Sequence, residues 1–142
     1  MLANPVFGDY LAAYGRGGLK ALRLGALPLL ARLYWYTVEF GLIRTDKGLR
    51  IYGAGIVSSR SESIYCLESP QPPRIAFDLP RIMRTRYRID DIQEAYFVID
   101  SFDQLFEATA PDFAPIYDKV GTLDEIAPGG VIAEDRVLTR LA

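Results

Sequence analysis

The sequence predicts a mainly helical α+β domain, and three stretches support this fold class. An apolar run from Pro28 to Gly41 has the length and composition of a buried helix. Residues 42–52 contain two short β-prone segments on either side of Asp-Lys-Gly, which predicts a short hairpin. Residues 95–99, Ala-Tyr-Phe-Val-Ile, predict a further strand. At 142 residues, the chain is expected to form one domain.

The N-terminal segment predicts a helix that runs from an Asn4 N-cap, with Pro5 in the first turn, to about Tyr14. Three glycines predict its end: Gly15, Gly17 and Gly18. A mobile, basic connection is expected to follow, with Arg16, Lys20 and Arg23. A phosphate-binding loop is disfavoured because no strand precedes the glycines and the P-loop spacing is absent.

Several later helices are predicted from their capping residues. Ser59 and Glu62 have the spacing of a capping box, which favours a capping role for Glu62 and leaves Ser58 free to face a site. Asp78 is expected to cap a short helix, and Ser101 a longer one. A final helix should begin near Pro111 and end near Val120, before a loosely ordered tail over residues 121–142.

The charge is divided unevenly along the chain. Residues 1–60 carry eight Lys/Arg and three Asp/Glu, for a net +5, whereas residues 61–142 carry eight and fifteen, for a net −7. We expect the two parts to attract each other. A run of four arginines follows in the second part: Arg81, Arg84, Arg86 and Arg88. It is interpreted as a solvated face paired with acidic residues, and a phosphate site is the alternative. The net charge of −2 predicts no nucleic-acid or membrane partner.

The single cysteine, Cys66, excludes an internal disulfide and fits a cytoplasmic protein. No signal peptide is predicted, because no basic and then apolar segment opens the sequence. No membrane span is predicted, because Arg32 and Glu39 interrupt the apolar run of sufficient length. The sequence has no histidine, so imidazole acid–base catalysis and histidine-based metal binding need another source of that side chain. Glu39 requires a partner in its apolar run, and an ion pair with Arg32 or Arg44 is one candidate.

Two long motifs identify a family resemblance. They are Leu-Tyr-Trp-Tyr-Thr-Val-Glu-Phe-Gly-Leu at residues 33–42 and Ile-Tyr-Gly-Ala-Gly-Ile-Val-Ser-Ser at residues 51–59. Together with residues 4–10 and 96–102, they resemble the pterin-dependent aromatic amino acid hydroxylases, and the bacterial phenylalanine 4-hydroxylase type in particular. The resemblance implies that residues 1–120 are the C-terminal part of that family's catalytic domain, truncated at the N-terminus.

In this family, Fe(II) is held by two histidines and one glutamate, and the resemblance makes Glu39 the carboxylate ligand. The family's histidines lie in a His-x-x-x-Gly-His motif upstream of residues matching Asn4-Pro5, and this sequence has neither histidine. The expectation is therefore that this chain alone is inactive. An ion pair remains the alternative role for Glu39 here.

The resemblance also implies roles for five other residues. Tyr34 would lie near the tetrahydrobiopterin cofactor and the iron, while Trp35 and Phe40 would line the pocket for the aromatic substrate. Gly55 and Ser58 would lie near the substrate. The alternatives are plain core packing for Trp35 and Phe40, and a structural hydrogen bond for the Tyr34 phenol.

The implied reaction converts L-phenylalanine to tyrosine with O2 and a tetrahydropterin. Apolar Ile89 stands where the tyrosine-hydroxylating branch has an acid, whereas tryptophan remains open as a substrate. Because no heptads follow Tyr117, the intact enzyme is expected to be a monomer. The alternative function is a non-catalytic remnant that binds an aromatic amino acid or a partner chain.

Overall fold

The computed structural model describes residues 5–89 and 91–138. It confirms the α+β class, with helices and one small sheet. The elements in chain order are α1 (Pro5–Arg23), α2 (Leu27–Tyr34), a π-helix (Trp35–Glu39), β1 (Leu42–Thr45), β2 (Gly48–Ile51), α3 (Ala54–Val57), α4 (Arg60–Glu68), β3 (Arg74–Ala76), α5 (Leu79–Met83), β4 (Tyr96–Ile99), α6 (Phe102–Thr109), α7 (Ala114–Gly121) and β5 (Val137–Leu138).

The sheet has the strand order β2-β1-β4-β3-β5. Strand β4 lies in the middle and runs parallel to both β1 and β3, while β2 and β5 pair antiparallel at the two edges. All four residues of β4 are buried, as its continuous apolar run predicts for a central parallel strand. The predicted hairpin is confirmed as β1 and β2, and Gly48 in its turn has a φ of +102° that favours glycine.

Helix α2 and the π-helix are continuous and together form the central helix, which packs its apolar side against the sheet and α5. Leu30, Leu33 and Tyr36 are each at most 1% exposed. The Tyr36 ring meets the Phe97 ring edge-on at 5.0 Å, and its hydroxyl donates to Arg86 O at 2.6 Å. Burial of each such large side chain contributes about 1.5–3 kcal/mol to folding, so this helix anchors the core.

Helix α1 is longer than predicted. It continues through the glycines to Arg23, so the expected end near Tyr14 and the mobile basic connection are both wrong. Ala21 is fully buried and the Tyr14 ring packs on Tyr34 at 5.0 Å, and these tertiary contacts offset the low helix propensity of glycine. The proposed Asn4 cap lies outside the described residues. Within residues 5–89 and 91–138, no helix combines the length and apolar character of a membrane span.

Three predicted N-caps are confirmed. The side chains of Ser59, Asp78 and Ser101 accept hydrogen bonds from backbone N–H groups three residues on, which begin α4, α5 and α6. In a full capping box, Glu62 would also accept a hydrogen bond from the backbone N–H of Ser59, and Glu62 does not take this role. Its carboxylate turns inwards to a tertiary contact, and this side chain is only 5% exposed.

The expected attraction between the two parts of the chain takes the form of specific ion pairs. Lys20 pairs with Asp112, Arg32 with Glu125, and Arg44 with Asp100. In each pair the cation comes from the first 60 residues and the carboxylate from the remainder. An exposed ion pair contributes little to folding stability. These three pairs therefore contribute mainly to the alignment of the first 60 residues with the remainder of the chain.

The arginine run is not a uniformly solvated face. Arg81 is 4% exposed and forms a two-bond ion pair with Asp135, while also donating to Gly130 O. Arg84 donates to Asp124 O, and Arg88 lies 3.7 Å from Asp91 and 3.8 Å from Glu94. The prediction of acidic partners was correct for Arg81 and Arg88, whereas Arg84 bonds a backbone oxygen, and the prediction of solvation was wrong for Arg81.

Part of the expected loose tail, residues 121–142, has ordered contacts as far as Leu138. Ile126 is 7% exposed and bridges to Thr85, and β5 pairs with β3. These contacts are tertiary, so they leave no periodic signal in the local sequence. The remaining residues of this segment lie outside the described part.

Candidate functional site

The central helix changes from an α-helix to a π-helix at Trp35, and this change positions the predicted site residues. The backbone N–H of Phe40 donates to Trp35 O at 2.9 Å, five residues back instead of four. Side chains five residues apart therefore lie next to each other. The buried Thr37 hydroxyl also donates to Leu33 O at 2.6 Å, a type of contact that often bends helices.

Two pairs of site residues follow from this five-residue spacing. The Tyr34 hydroxyl donates a long hydrogen bond of 3.4 Å to Glu39 Oε1, and the Trp35 and Phe40 rings have centroids 4.8 Å apart. Partial burial, then the charge of Glu39, then this hydrogen bond raise the pKa of the Tyr34 phenol. The phenol therefore stays protonated at neutral pH and can act as a donor.

The Glu39 carboxylate is half-buried and does not form the ion pair considered above. Arg32 binds Glu125 and donates to Met83 O at 2.9 Å, whereas Arg44 lies 3.1 Å from Asp100. Across the part of the chain that the structure describes, no Lys or Arg lies within ion-pair distance of Glu39. The ion-pair alternative for Glu39 was therefore wrong.

Helix α3 approaches Glu39 through two glycines. A Cβ at Gly55 would lie 3.0 Å from Glu39 Oε2 and 2.9 Å from Phe40 Cζ. A Cβ at Gly53 would lie 2.4 Å from Glu39 O. The backbone at the start of α3 thus comes close to Glu39 itself. Ser58 follows α3, is exposed, and donates its hydroxyl to Gly55 O at 3.0 Å.

Trp35 and Phe40 form an aromatic wall beside Glu39. The indole stacks on the Tyr87 ring, with centroids 4.5 Å apart and an interplanar angle of 16°. Its Nε1–H donates to Gln93 Oε1 at 3.0 Å. Trp35 and Phe40 are both half-buried, so part of each side chain remains accessible. The structure therefore places four predicted residues within or directly beside the π-helix, namely Tyr34, Trp35, Glu39 and Phe40. Gly55 lies against Glu39, and the exposed Ser58 contacts Gly55.

Three residues at this site were not predicted from the sequence. Tyr87 and Gln93 contact Trp35 from a segment that has no regular structure and no motif. Glu62 was interpreted as a helix cap, but its Oε2 accepts hydrogen bonds from Gln93 N and from the Tyr96 hydroxyl. No local pattern could reveal these contacts, because the partners are 31 to 58 residues apart.

The site supplies one carboxylate for a metal, that of Glu39. Among the described residues, no group of three or more His, Cys, Asp or Glu side chains could hold a metal ion. The whole sequence has no histidine.

A separate cavity of about 310 Å³ lies between α1, α2, α6 and α7, and none of the six predicted site residues lines it.

Comparison with known proteins gives a consistent result. The model of the biopterin-dependent aromatic amino acid hydroxylase family matches residues 1–119. The phenylalanine-4-hydroxylase of Ralstonia nicotianae is 69% identical over 138 residues, which are 97% of this chain and 44% of that protein. The enzyme of Caulobacter vibrioides is 60% identical over 140 residues, 99% of this chain and 48% of that protein. The chain thus spans about half the length of these curated relatives.

Solved structures resemble this fold closely. The iron- and phenylalanine-bound crystal structure of phenylalanine hydroxylase from Chromobacterium violaceum matches with a TM-score of 0.95 and 66% identity, over 96% of this chain and 51% of that chain. The cobalt-bound structure of the same enzyme matches with a TM-score of 0.93 and 67% identity, over 95% of this chain and 49% of that one.

Proposed function

This chain belongs to the biopterin-dependent aromatic amino acid hydroxylase family, and we propose that it forms the C-terminal part of a phenylalanine 4-hydroxylase catalytic domain. In this proposal residues 1–120 belong to that domain, and residues 121–142 are its C-terminal extension. The observation that carries it is the Glu39 carboxylate, which has no cationic partner among the described residues and lies beside the Trp35–Phe40 wall. The names of three relatives at 60–69% identity support the same reaction.

Glu39 fits the role of one iron ligand. A half-buried carboxylate in an apolar helix, approached by glycine and hydrogen-bonded by a phenol, suits the carboxylate position of a two-histidine, one-carboxylate Fe(II) site. The other ligands of a two-histidine, one-carboxylate site cannot come from this sequence, which lacks histidine. We therefore expect this chain alone to be inactive.

The aromatic wall fits the side chain of L-phenylalanine. Trp35 and Phe40 offer ring faces and edges to a substrate ring, and Gly55 keeps the space next to Glu39 free of a side chain. Tyr34, with its protonated hydroxyl, is proposed to contact the tetrahydropterin, which supplies two electrons when it is bound. Ser58 is proposed to support the same region through Gly55. O2 as co-substrate, a monomeric intact enzyme and a cytoplasmic location complete the proposal.

The competing proposal is a non-catalytic remnant that binds an aromatic amino acid or a partner chain. The incomplete ligand set favours it, as do Val57 and Ile64 on α3 and α4, which are 63% and 51% exposed. Both proposals use the same aromatic wall. The two proposals differ in whether Glu39 takes part in catalysis once the other iron ligands are supplied.

A chimera tests this difference. This chain replaces the matching half of the Chromobacterium violaceum enzyme, to which it is 67% identical over 138 residues. The chimera should convert phenylalanine to tyrosine with iron and tetrahydropterin, and Glu39→Gln should abolish both activity and iron binding measured by calorimetry. Glu68→Gln, an exposed carboxylate at the end of α4, is the control. A folded chimera that is inactive, or one indifferent to Glu39→Gln, would favour the remnant.

A further inference from the structure

Gln93 fixes the orientation of the Trp35 indole. Its carboxamide oxygen accepts the indole N–H at 3.0 Å, and its amide nitrogen donates to Arg88 O at 2.7 Å and Asp91 O at 3.2 Å. Gln93 is only 1% exposed. Because both ends of the carboxamide are bonded, its oxygen points towards Trp35 and the amide cannot turn over without losing all three bonds.

Glu62 in turn holds Gln93. Its Oε2 accepts the Gln93 backbone N–H at 3.0 Å and the Tyr96 hydroxyl at 2.6 Å. The carboxylate is 5% exposed, and no Lys or Arg of the described residues lies within ion-pair distance of it. Tyr96 belongs to the buried central strand β4, so the Glu62 carboxylate links the Gln93 backbone to the centre of the sheet.

Ring packing alone does not fix the indole. Tyr87 stacks on one side of Trp35 and Phe40 lies at 4.8 Å, and these contacts fix the plane of the indole but do not select between the two χ2 orientations that share this plane. A directional N–H···O bond selects a single orientation. We propose that Glu62 and Gln93 are positioning residues that hold Trp35 in the one orientation that forms the wall for the substrate ring. This inference rests on the proposed function, in which Trp35 contacts that ring.

The chain provides its own reporter, because Trp35 is its single tryptophan. Gln93→Leu removes the acceptor for the indole, and Glu62→Leu removes the anchor for Gln93. Glu62→Gln keeps a carbonyl oxygen that can accept both donors and serves as the conservative variant. Glu68→Gln, on the same helix but exposed, is the matched control. Tyr96→Phe removes one of the two donors to Glu62 and replaces Glu62→Leu if that variant does not fold.

Tryptophan emission and its quenching by acrylamide are measured on each folded variant of the 142-residue chain. We expect Gln93→Leu and Glu62→Leu to shift the emission and raise the quenching, whereas Glu62→Gln and Glu68→Gln should match the wild type. The double variant should show less than the summed effects, because both changes act on one contact. Unchanged Trp35 emission in folded Gln93→Leu and Glu62→Leu, with only a loss of stability, would overturn the inference.

Kinetics of the chimera separate this inference from the proposed function. The KM for phenylalanine should rise by roughly tenfold in Gln93→Leu, the effect of about one lost hydrogen bond, with a smaller change in kcat. A wild-type chimera that does not use phenylalanine contradicts the proposed function, and the emission results still decide the positioning role. An active chimera whose KM is unaffected by Gln93→Leu would overturn the link from Trp35 orientation to the substrate.

Discussion

The Tyr34 hydroxyl meets the Glu39 carboxylate because the helix between them is a π-helix. In an α-helix the neighbours of Glu39 would be three and four residues back, at Tyr36 and Trp35. The extra residue in the turn instead places Tyr34 against the carboxylate and Trp35 against Phe40. A single backbone irregularity thus separates a polar pair from an aromatic pair on one short helix.

Phe40→Leu should weaken substrate binding in the chimera. The change keeps an apolar side chain but removes a ring that packs at 4.8 Å on Trp35. An aromatic pair contributes about 0.5–1.5 kcal/mol beyond its buried area, so the KM for phenylalanine should rise roughly 2–10-fold. Steady-state kinetics measure this, with Leu24→Ala, a half-exposed residue just after α1, as the control. An unchanged KM would mean that Phe40 serves packing alone.

Gly41→Ala should destabilise the fold. The new Cβ would lie 2.2 Å from the Tyr52 ring and 2.5 Å from Thr37 O, and the backbone oxygen cannot move without disrupting the π-helix. Overpacking of this kind costs about 1–3 kcal/mol in the free energy of unfolding.

Gly17→Ala is the matched control for Gly41→Ala, because no atom lies within 4 Å of its added Cβ. Gly17 lies inside α1, where alanine should instead stabilise the protein by about 0.5–1 kcal/mol. Urea unfolding of both variants measures the two effects. Equal effects of the same sign would contradict the assigned environments.

Asp135→Ala should remove the anchor of the C-terminal segment. Arg81 would keep its buried position but lose its carboxylate partner, at a cost of about 3–5 kcal/mol. Asp124→Ala is the control, because Arg84 binds only the backbone oxygen of that residue. Chemical denaturation measures both variants. A loss below 1 kcal/mol for Asp135→Ala would show that Arg81 finds water or another acceptor.

Stability should also fall in acid through the same pair. Burial tends to raise the pKa of Asp135, but the hydrogen bonds from Arg81 and Ile132 N–H and the nearby arginine charges outweigh it and lower the pKa. The unfolded chain therefore binds a proton first as the pH falls below about 4, so the contribution of Asp135 is present above that pH and is lost below it. Denaturation from pH 7 to pH 3 should show a smaller loss in Asp135→Asn than in the wild type.

The Cys66 thiol should be inert in the folded protein. Burial, followed by the Glu62 charge, raises its pKa from 9.0 to about 12. Between those two values the unfolded chain loses the proton that the folded chain keeps, so stability should fall as the pH rises through this range. Labelling with a thiol reagent at pH 8 should require unfolding. Rapid labelling without urea would show that α4 opens locally.

Local signals in the sequence were sufficient for much of the fold. The hairpin and the caps at Asp78 and Ser101 depend on turn and capping chemistry within four residues, and all three are confirmed. The end of α1 was wrong because glycine propensity is a weak signal that tertiary packing overrides. The motif over residues 33–42 indicated the site residues, but helix periodicity could not indicate a π-helix within it.

The contacts of Glu62 and Arg81 show why the rest could not be predicted. Glu62 matches a capping pattern and Arg81 belongs to a basic run, so each has a plausible local role on the surface. Their actual partners, Gln93 and Asp135, are 31 and 54 residues away and become neighbours only when the sheet assembles. A charged side chain whose local sequence pattern predicts a surface role can therefore form a buried tertiary contact instead.

Strand β5 also determines which strand lies at one open edge of the sheet, where another chain could pair. It covers the outer side of β3, where Ala76 N donates to Arg136 O at 2.8 Å. Without it, β3 would offer unpaired N–H and C=O groups around apolar Ile75, a template onto which another strand could add. At the opposite edge, β2 carries the exposed Arg50, and the exposed Lys47 directly precedes this strand. Charged side chains at an edge disfavour pairing with another strand. A few residues near the C-terminus thus protect the protein against edge-to-edge aggregation.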